Sequence, residues 1–449
     1  MSILTDLNGL PISRRNMLRC GALAAAGVLV GKQPSLAASE VPAAILPQKA
    51  KAVIQIWMWG GPAHLDTWDP KPDAGYDYCG PLNKPIKTNV DGIVIGELMP
   101  ELAKQADKYS VIRSMTHGSF AHETAAYMVQ TGHDSGDRLV YPSIGAVVSL
   151  FKGYDGGYKG LVPPYVVLTE LQGRFSECGF LGPRYGPFAT GGDPNRTPFA
   201  VQGIVAEGID ARRQRERRGL LHSLDSFGHA MGTDPAIAEF NHCEADAYDM
   251  ILGDGGKIFD LAEEADAVRD WYGKNTFGQS CLVARRLVEH GVRFVTINYK
   301  GWDTHKENFQ TMRRKVPEMD KGVAALLQDL ASRGLLDSTI VWWSGEFGRK
   351  PKIDWDAPWN GGRNHWGTAF SAAVAGGGFK GGHVIGATDA RGEELKDRPV
   401  YPWDMVGTID GLLGIDPNST FPRVGDGNIR LTQAINPGIK SGGHLKELI

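Results

Sequence analysis

The sequence lacks most of the features that place a protein at a glance. Its early apolar run, CGALAAAGVLV from Cys20 to Val30, covers about 11 residues where a spanning helix needs about 20, so no stable membrane span is expected. Cysteine is scarce: Cys20, Cys79, Cys178, Cys243 and Cys281 lie far apart and none forms Cys-x-x-Cys. That spacing argues against a cysteine-type zinc site and names no disulfide pairing. Charge of neither sign dominates. With 48 Lys and Arg against 51 Asp and Glu, and no long basic block, nucleic acid is not an expected partner. Internal repeats are missing. The 58 glycines and 26 prolines are dispersed along the 449 residues, which points to many loops rather than a low-complexity region.

What is present begins with an address. Ser13 to Arg19 reads S-R-R-N-M-L-R, then comes the weak apolar run, then the small residues of SLAA. That is the order of a secretory signal, and the paired Arg14 and Arg15 resemble a twin-arginine signal read by the export machinery for folded proteins. Residues 1–38 are therefore expected to be a signal peptide, 39–52 a linker, and the mature protein periplasmic or secreted.

From Val53 onward, apolar β-like runs alternate with helical patterns. AVIQIWMW reads as a buried first strand. A helix-like stretch (Leu98–Asp107), a strand (Tyr109–Met115), a helix from about His122 to Gln130 and a strand in PPYVVLTE follow. Then come a strand at Phe294–Asn298, a long helix at Phe309–Ser332 and a strand at Thr339–Trp343. This alternation predicts an α/β fold, a three-layer α/β/α sandwich on a mostly parallel sheet. One domain spanning 53–449 is expected, with a charged, helix-rich insertion at about 205–290.

Two segments carry the chemistry. WDTH holds Asp303 and His305, just after FVTIN; SGEFGR…GRNHW holds Glu346 and His365, just after TIVWW. In an open α/β sheet, residues past the carboxyl ends of strands line the ligand crevice. Asp303, His305, Glu346 and His365 are thus expected to meet, and two carboxylates with two imidazoles suit a divalent ion, zinc or manganese ahead of calcium or magnesium. Asp303 has a plainer alternative as a helix cap.

GGPAHLDTWDPKP, HETAAYMVQTGH, YPSIGAVVS, ARRLVEHGVRFV, GWDTH, GEFGRKP, GRNHW, AGGGFKGG and GATD follow one another in this chain. In that order they resemble the domain-of-unknown-function family fifteen-oh-one, an exported group similar to sulfatases and alkaline phosphatases. The resemblance runs from about Val53 to Leu431. It implies an alkaline-phosphatase-like sandwich and metal-assisted hydrolysis of a phosphate or sulfate ester.

By the same resemblance, His122 falls at the position where a nucleophile opens a helix, with Thr124 as a second candidate. The formylglycine pattern Cys-x-Pro-x-Arg of sulfatases is absent, so a standard sulfatase is not expected. Asp303 and His305 match an Asp/His ligand pair, and His365 matches the last histidine ligand. Glu346 stands where relatives carry Asp-His. The first strand ends W-M-W-G-G rather than in an aspartate, leaving Asp66 to act as a ligand or to make an Asx-turn. Arg349 and Arg363, with His117 nearby, are candidates to grip an anionic substrate; surface ion pairing is the alternative for the arginines. The expected function is an exported metal-dependent hydrolase acting on an anionic ester, including a sulfated or phosphorylated glycan. A glycan-binding protein without turnover and an envelope scaffold are the alternatives.

Overall fold

The computed structural model describes residues 48–136, 138–171, 177–197, 199–201, 211–224, 248, 250, 252–422, 429–433 and 439–449. The expected signal peptide, most of the linker and much of the 205–290 insertion lie outside them.

Eight strands form one sheet: β1 (Ala52–Trp57), β2 (Tyr109–Met115), β3 (Tyr165–Leu168), β4 (Phe188–Ala189), β5 (Phe294–Asn298), β6 (Thr339–Ser344), β7 (Phe370–Ala375) and β8 (Val384–Ile385). Their order is β8-β2-β7-β6-β1-β5-β3-β4. Only β7 runs against the others, antiparallel to both β2 and β6. β1 sits in the middle, parallel to β5 with Val53 opposite Phe294, and parallel to β6 with Ala52 opposite Thr339.

Strands in this position are covered on both faces, so they read as continuous apolar runs. Alternate residues then serve two cores. Ile54, Ile56, Val295, Ile297, Val341 and Trp343 face one; Val53, Phe294, Ile340 and Trp342 face the other. The first core is closed by α2 (Thr276–Glu289) and α3 (Asn308–Ser332), and the second by α1 (His122–Thr131) and α4 (Pro402–Leu412). This is the three-layer α/β/α arrangement expected from the sequence.

Local signals set the helix ends. The Asn275 side chain accepts from Gly278 N–H at 2.8 Å and starts α2, as an N-cap does. Gly132, left-handed at φ 69°, stops α1. The helix-like stretch from Leu98 is shorter than expected: Pro100–Ala103 is helical and a separate turn, Ala106–Lys108, precedes β2. The Asp320 carboxylate on α3 accepts the Glu101 and Leu102 N–H groups at 2.9 and 2.7 Å, fixing where that helix begins.

Candidate functional site

Because seven strands point the same way, their carboxyl ends share one edge of the sheet, the crevice side of such folds. Three adjacent strands feed it. β1 leads to Gly60 and Gly61, β5 to Trp302 and Asp303, and β6 to Glu346. Since β7 is reversed, the segment entering it reaches the same edge and brings His365, which pairs across to Arg349 in a two-stranded ribbon. The start of α1 adds His122.

Close backbone packing makes this possible. Gly60 has φ 107°, and a Cβ there would lie 2.1 Å from the Asp303 nitrogen; only glycine fits. Its N–H donates to both Glu346 oxygens, at 2.9 and 3.2 Å. The doubled glycine after the first strand thus holds the β1, β5 and β6 loops together where an aspartate was expected.

His122 lies between two carboxylates. Its Nδ1 is 2.6 Å from Glu346 Oε1 and its Nε2 is 3.3 Å from Asp303 Oδ2. Burial works against charge on this ring, but hydrogen bonds to Asp303 and Glu346 outweigh it and raise the pKa to about 9. Trp59 stacks on the ring at 5.4 Å. Asp303 is partly desolvated, which alone would raise its pKa. His122, His365 and Arg349 more than offset that and hold it well below the usual carboxylate range.

His305 and His365 complete the group. Each Nε2 faces Asp303 Oδ1, at 3.1 and 3.3 Å, and the two Nε2 atoms are 2.8 Å apart. Their Nδ1 atoms meet acceptors: His365 Nδ1 lies 2.6 Å from the Phe120 carbonyl and His305 Nδ1 lies 2.8 Å from Asn364 Oδ1. The Asn364 amide is oriented by Nδ2 donating to Asp354 at 2.9 Å. A neutral imidazole carries one N–H, and these partners draw it to Nδ1. Two Nε2 lone pairs then converge on Asp303 Oδ1, an oxygen that also accepts from Arg349, and a divalent cation would satisfy these acceptors. Histidine ligands of metals commonly donate their other N–H to a carbonyl or carboxylate-like oxygen in this way. His122, Asp303 and His365 can each offer a ligand atom within 4.8 Å of the others. With His305 Nε2 adjoining, these donors could hold a divalent metal ion.

The other expected site residues are placed differently. Asp66 is fully buried against Arg363 at 3.0 Å and accepts from Asn308 at 2.7 Å. Its oxygens are occupied, and the ligand group does not include it. Neither arginine is free for an anion. Arg363 is spent on Asp66 and the carbonyls of Lys350, Pro351 and Tyr78. Arg349, also wholly buried, bonds Asp303 and the carbonyls of Gly60, Gly61 and Arg363. It braces a candidate ligand. His117 is likewise internal support: Nδ1 accepts from Ser119 N–H at 3.0 Å, Nε2–H donates to the Glu346 carbonyl at 2.6 Å, and burial lowers its pKa to about 4. Thr124 is half-buried in the first turn of α1, two residues past His122 and so about 200° around the helix. Sequence reasoning missed the Gly60 N–H, the Phe120 carbonyl and Trp59. Only the doubled glycine left a visible signal.

The chain matches, over residues 50–439, the family model described as "Protein of unknown function (DUF1501)". A comparison with curated proteins finds no match. Among solved structures, it is similar to a protein in the alkaline phosphatase superfamily from Vibrio parahaemolyticus, at 11% identity over 90% of this chain and 76% of that one, TM-score 0.39. A second is the lipoteichoic acid synthase LtaP from Listeria monocytogenes, at 10% identity over 89% and 78%, TM-score 0.38. A third is Ps i-CgsB in complex with k-i-k-neocarrahexaose, at 13% identity over 82% and 73%, TM-score 0.39.

Proposed function

The chain belongs to the DUF1501 family, and from that premise we propose that it is an exported, metal-dependent hydrolase of a phosphate or sulfate ester. The observation that carries this reading is the convergence of His305 Nε2, His365 Nε2 and Asp303 Oδ1 on one point. Asp303, His305 and His365 would hold the ion, zinc or manganese by the nature of the donors. A bound ion there supplies polarisation of an ester oxygen and activation of water.

The remaining residues arrange that chemistry. Arg349 fixes one oxygen of Asp303 and keeps the carboxylate ionised. Glu346, held by Gly60 N–H, orients His122 through Nδ1 and leaves Nε2 toward Asp303. His122 is placed to give a proton to a leaving oxygen: Glu346 takes up Nδ1, and Nε2 faces the crevice beside Asp303. No side chain caps the start of α1, and its first residue is His122, so the uncapped first-turn N–H groups would favour an anion held there. Thr124 keeps a place as candidate nucleophile.

Protein purified without chelator should carry a divalent ion and turn over at least one aryl phosphate or sulfate in a panel run with zinc, manganese, calcium and magnesium. His122→Gln should lose about 10²–10⁴-fold in rate with metal retained; loss of metal together with rate would make His122 a ligand instead. No turnover by metal-replete protein would defeat the hydrolase reading. It would leave a binding protein for anionic glycans, which the sequestered Asp66 and the missing first-strand carboxylate favour. Export rests on Arg14 and Arg15: changing both to Lys should hold the precursor in the cytoplasm, and undiminished export would remove that part of the proposal.

A further inference from the structure

We infer that the mouth of this site holds a saccharide, with Trp359, and Phe120 near His365, as ring-stacking positions beside the histidine cluster. The inference rests on the reading above, since it treats the cluster as the place where an ester is held.

Four aromatic side chains stand out as exposed among the described residues: Tyr76, Phe120, Trp271 and Trp359. Two of the four border the cluster. The Trp359 ring lies 6.4 Å from the His305 ring. Phe120 carries the carbonyl that receives His365 Nδ1, and its ring stands edge-on to Trp366 at 5.8 Å. A single exposed aromatic needs no explanation. Two of them beside one histidine cluster, Trp359 next to His305 and Phe120 next to His365, do.

Trp359 is held out on purpose-built backbone. Its N–H donates to the Asp356 carbonyl at 2.9 Å, and its own carbonyl accepts from Glu307 at 3.0 Å. The loop is closed where Asp354 N–H meets the Gly362 carbonyl at 3.0 Å. At Gly362 a Cβ would lie 1.8 Å from the His305 carbonyl oxygen, so the loop is pressed onto the histidine segment. The loop therefore holds Trp359 beside His305, with the residue 37% exposed.

The Arg349 and Arg363 side chains are both wholly buried, so neither arginine reaches the parts of a substrate beyond the ester. Exposed aromatic faces are what the rim offers to hold those parts. A pyranose ring offers a C–H face to an aromatic and hydroxyls at its edge. Around Trp359 the exposed polar neighbours Asp356 and Asn360 can meet those hydroxyls. A long alkyl chain would leave these polar groups unused. Aromatic rings are suited to such contacts because they give large rigid area.

The test titrates metal-replete protein, followed by tryptophan fluorescence and calorimetry. The probes are glucose 6-sulfate, galactose 4-sulfate and N-acetylglucosamine 6-phosphate, with inorganic sulfate, inorganic phosphate and decyl sulfate as controls. At least one saccharide ester should bind about tenfold or more tightly than its inorganic ion. Trp359→Ala should weaken that binding by about fivefold to tenfold with bound metal and inorganic-ion affinity unchanged, Trp359→Phe should recover most of the loss, and Phe120→Ala should weaken saccharide binding by more than it weakens inorganic-ion binding. Saccharide esters binding no better than the ions, ring variants binding like wild type, or decyl sulfate exceeding every saccharide would each overturn the inference. Failure of the metal reading is separable: it appears as wild-type protein without metal, whatever the ring variants do.

Discussion

Two aspartate–arginine pairs adjoin in this fold and have opposite fates. Asp66 and Arg363 both have wholly buried side chains. Asp303 is 41% exposed on a wholly buried Arg349. The two arginines touch, Arg349 donating to the Arg363 carbonyl at 3.3 Å. Around Asp66 the circle is closed by Arg363 and Asn308. Around Asp303 it is open: Oδ1 meets Arg349, His305 and His365, Oδ2 meets only His122 among the described residues, and the side chain stays part-exposed. The same residue types thus serve as internal mortar in one place and, we propose, as a metal ligand in the other. Access on one face, rather than identity, separates them.

The largest effect expected from this contrast is on stability. Asp66→Ala strands a buried guanidinium and should cost about 3–5 kcal/mol, read from denaturant unfolding, while metal per folded molecule stays the same. Loss of metal with stability intact would reverse the assignment of the two pairs. Asp303→Asn should do the opposite, lowering metal affinity by about 10–100-fold with a smaller change in unfolding free energy than Asp66→Ala.

A third carboxylate sharpens the comparison. Asp410 on α4 is fully buried and Oδ1 has no hydrogen-bond partner. Desolvation pushes its pKa up to about 8. A raised carboxylate pKa means that the folded protein holds the proton more tightly than the unfolded chain. The contribution is complete below about pH 4 and is lost as pH rises toward 8. Stability should fall across that window by up to about 1.4 kcal/mol per pH unit from this one group, and Asp410→Asn should flatten the curve. An unaltered pH profile in the variant would show that Asp410 ionises freely. The smallest effect is expected at Thr124: Thr124→Ala should keep stability within about 0.5 kcal/mol and leave bound metal unchanged, whereas loss of metal would place a further ligand on α1.

Much of this was legible in the sequence for a physical reason. Strands buried on both faces are written as apolar runs, so the ends of FVTIN and TIVWW could be read, and with them the positions of Asp303 and Glu346. His122 was locatable because Thr131 and Gly132 mark the end of its helix. Pairing was not legible. Nothing in a list of Asp and Arg residues says that Arg363 reaches back to Asp66 while Arg349 reaches Asp303, since that choice is made by loop packing across the chain. Gly60 is the instructive case. The absent first-strand carboxylate read as a gap in the ligand set, whereas its backbone N–H anchors Glu346 and its missing Cβ admits Asp303.

The central position of β1 has a consequence for how the chain comes together. This strand emerges early in synthesis, yet both its neighbours, β5 and β6, are made far later, as the pairing of Val53 with Phe294 and Ala52 with Thr339 requires. Such long-range pairing is slow and leaves strand edges exposed in the meantime. No amino-terminal portion can close the sheet alone. The loops that carry Asp303 and Glu346 leave those same late strands, so the geometry of the candidate site and the core arise in one event. A nascent chain of this topology would depend on chaperone cover until most of it had been translated, and a truncation before β6 would be expected to yield aggregate rather than a smaller folded unit.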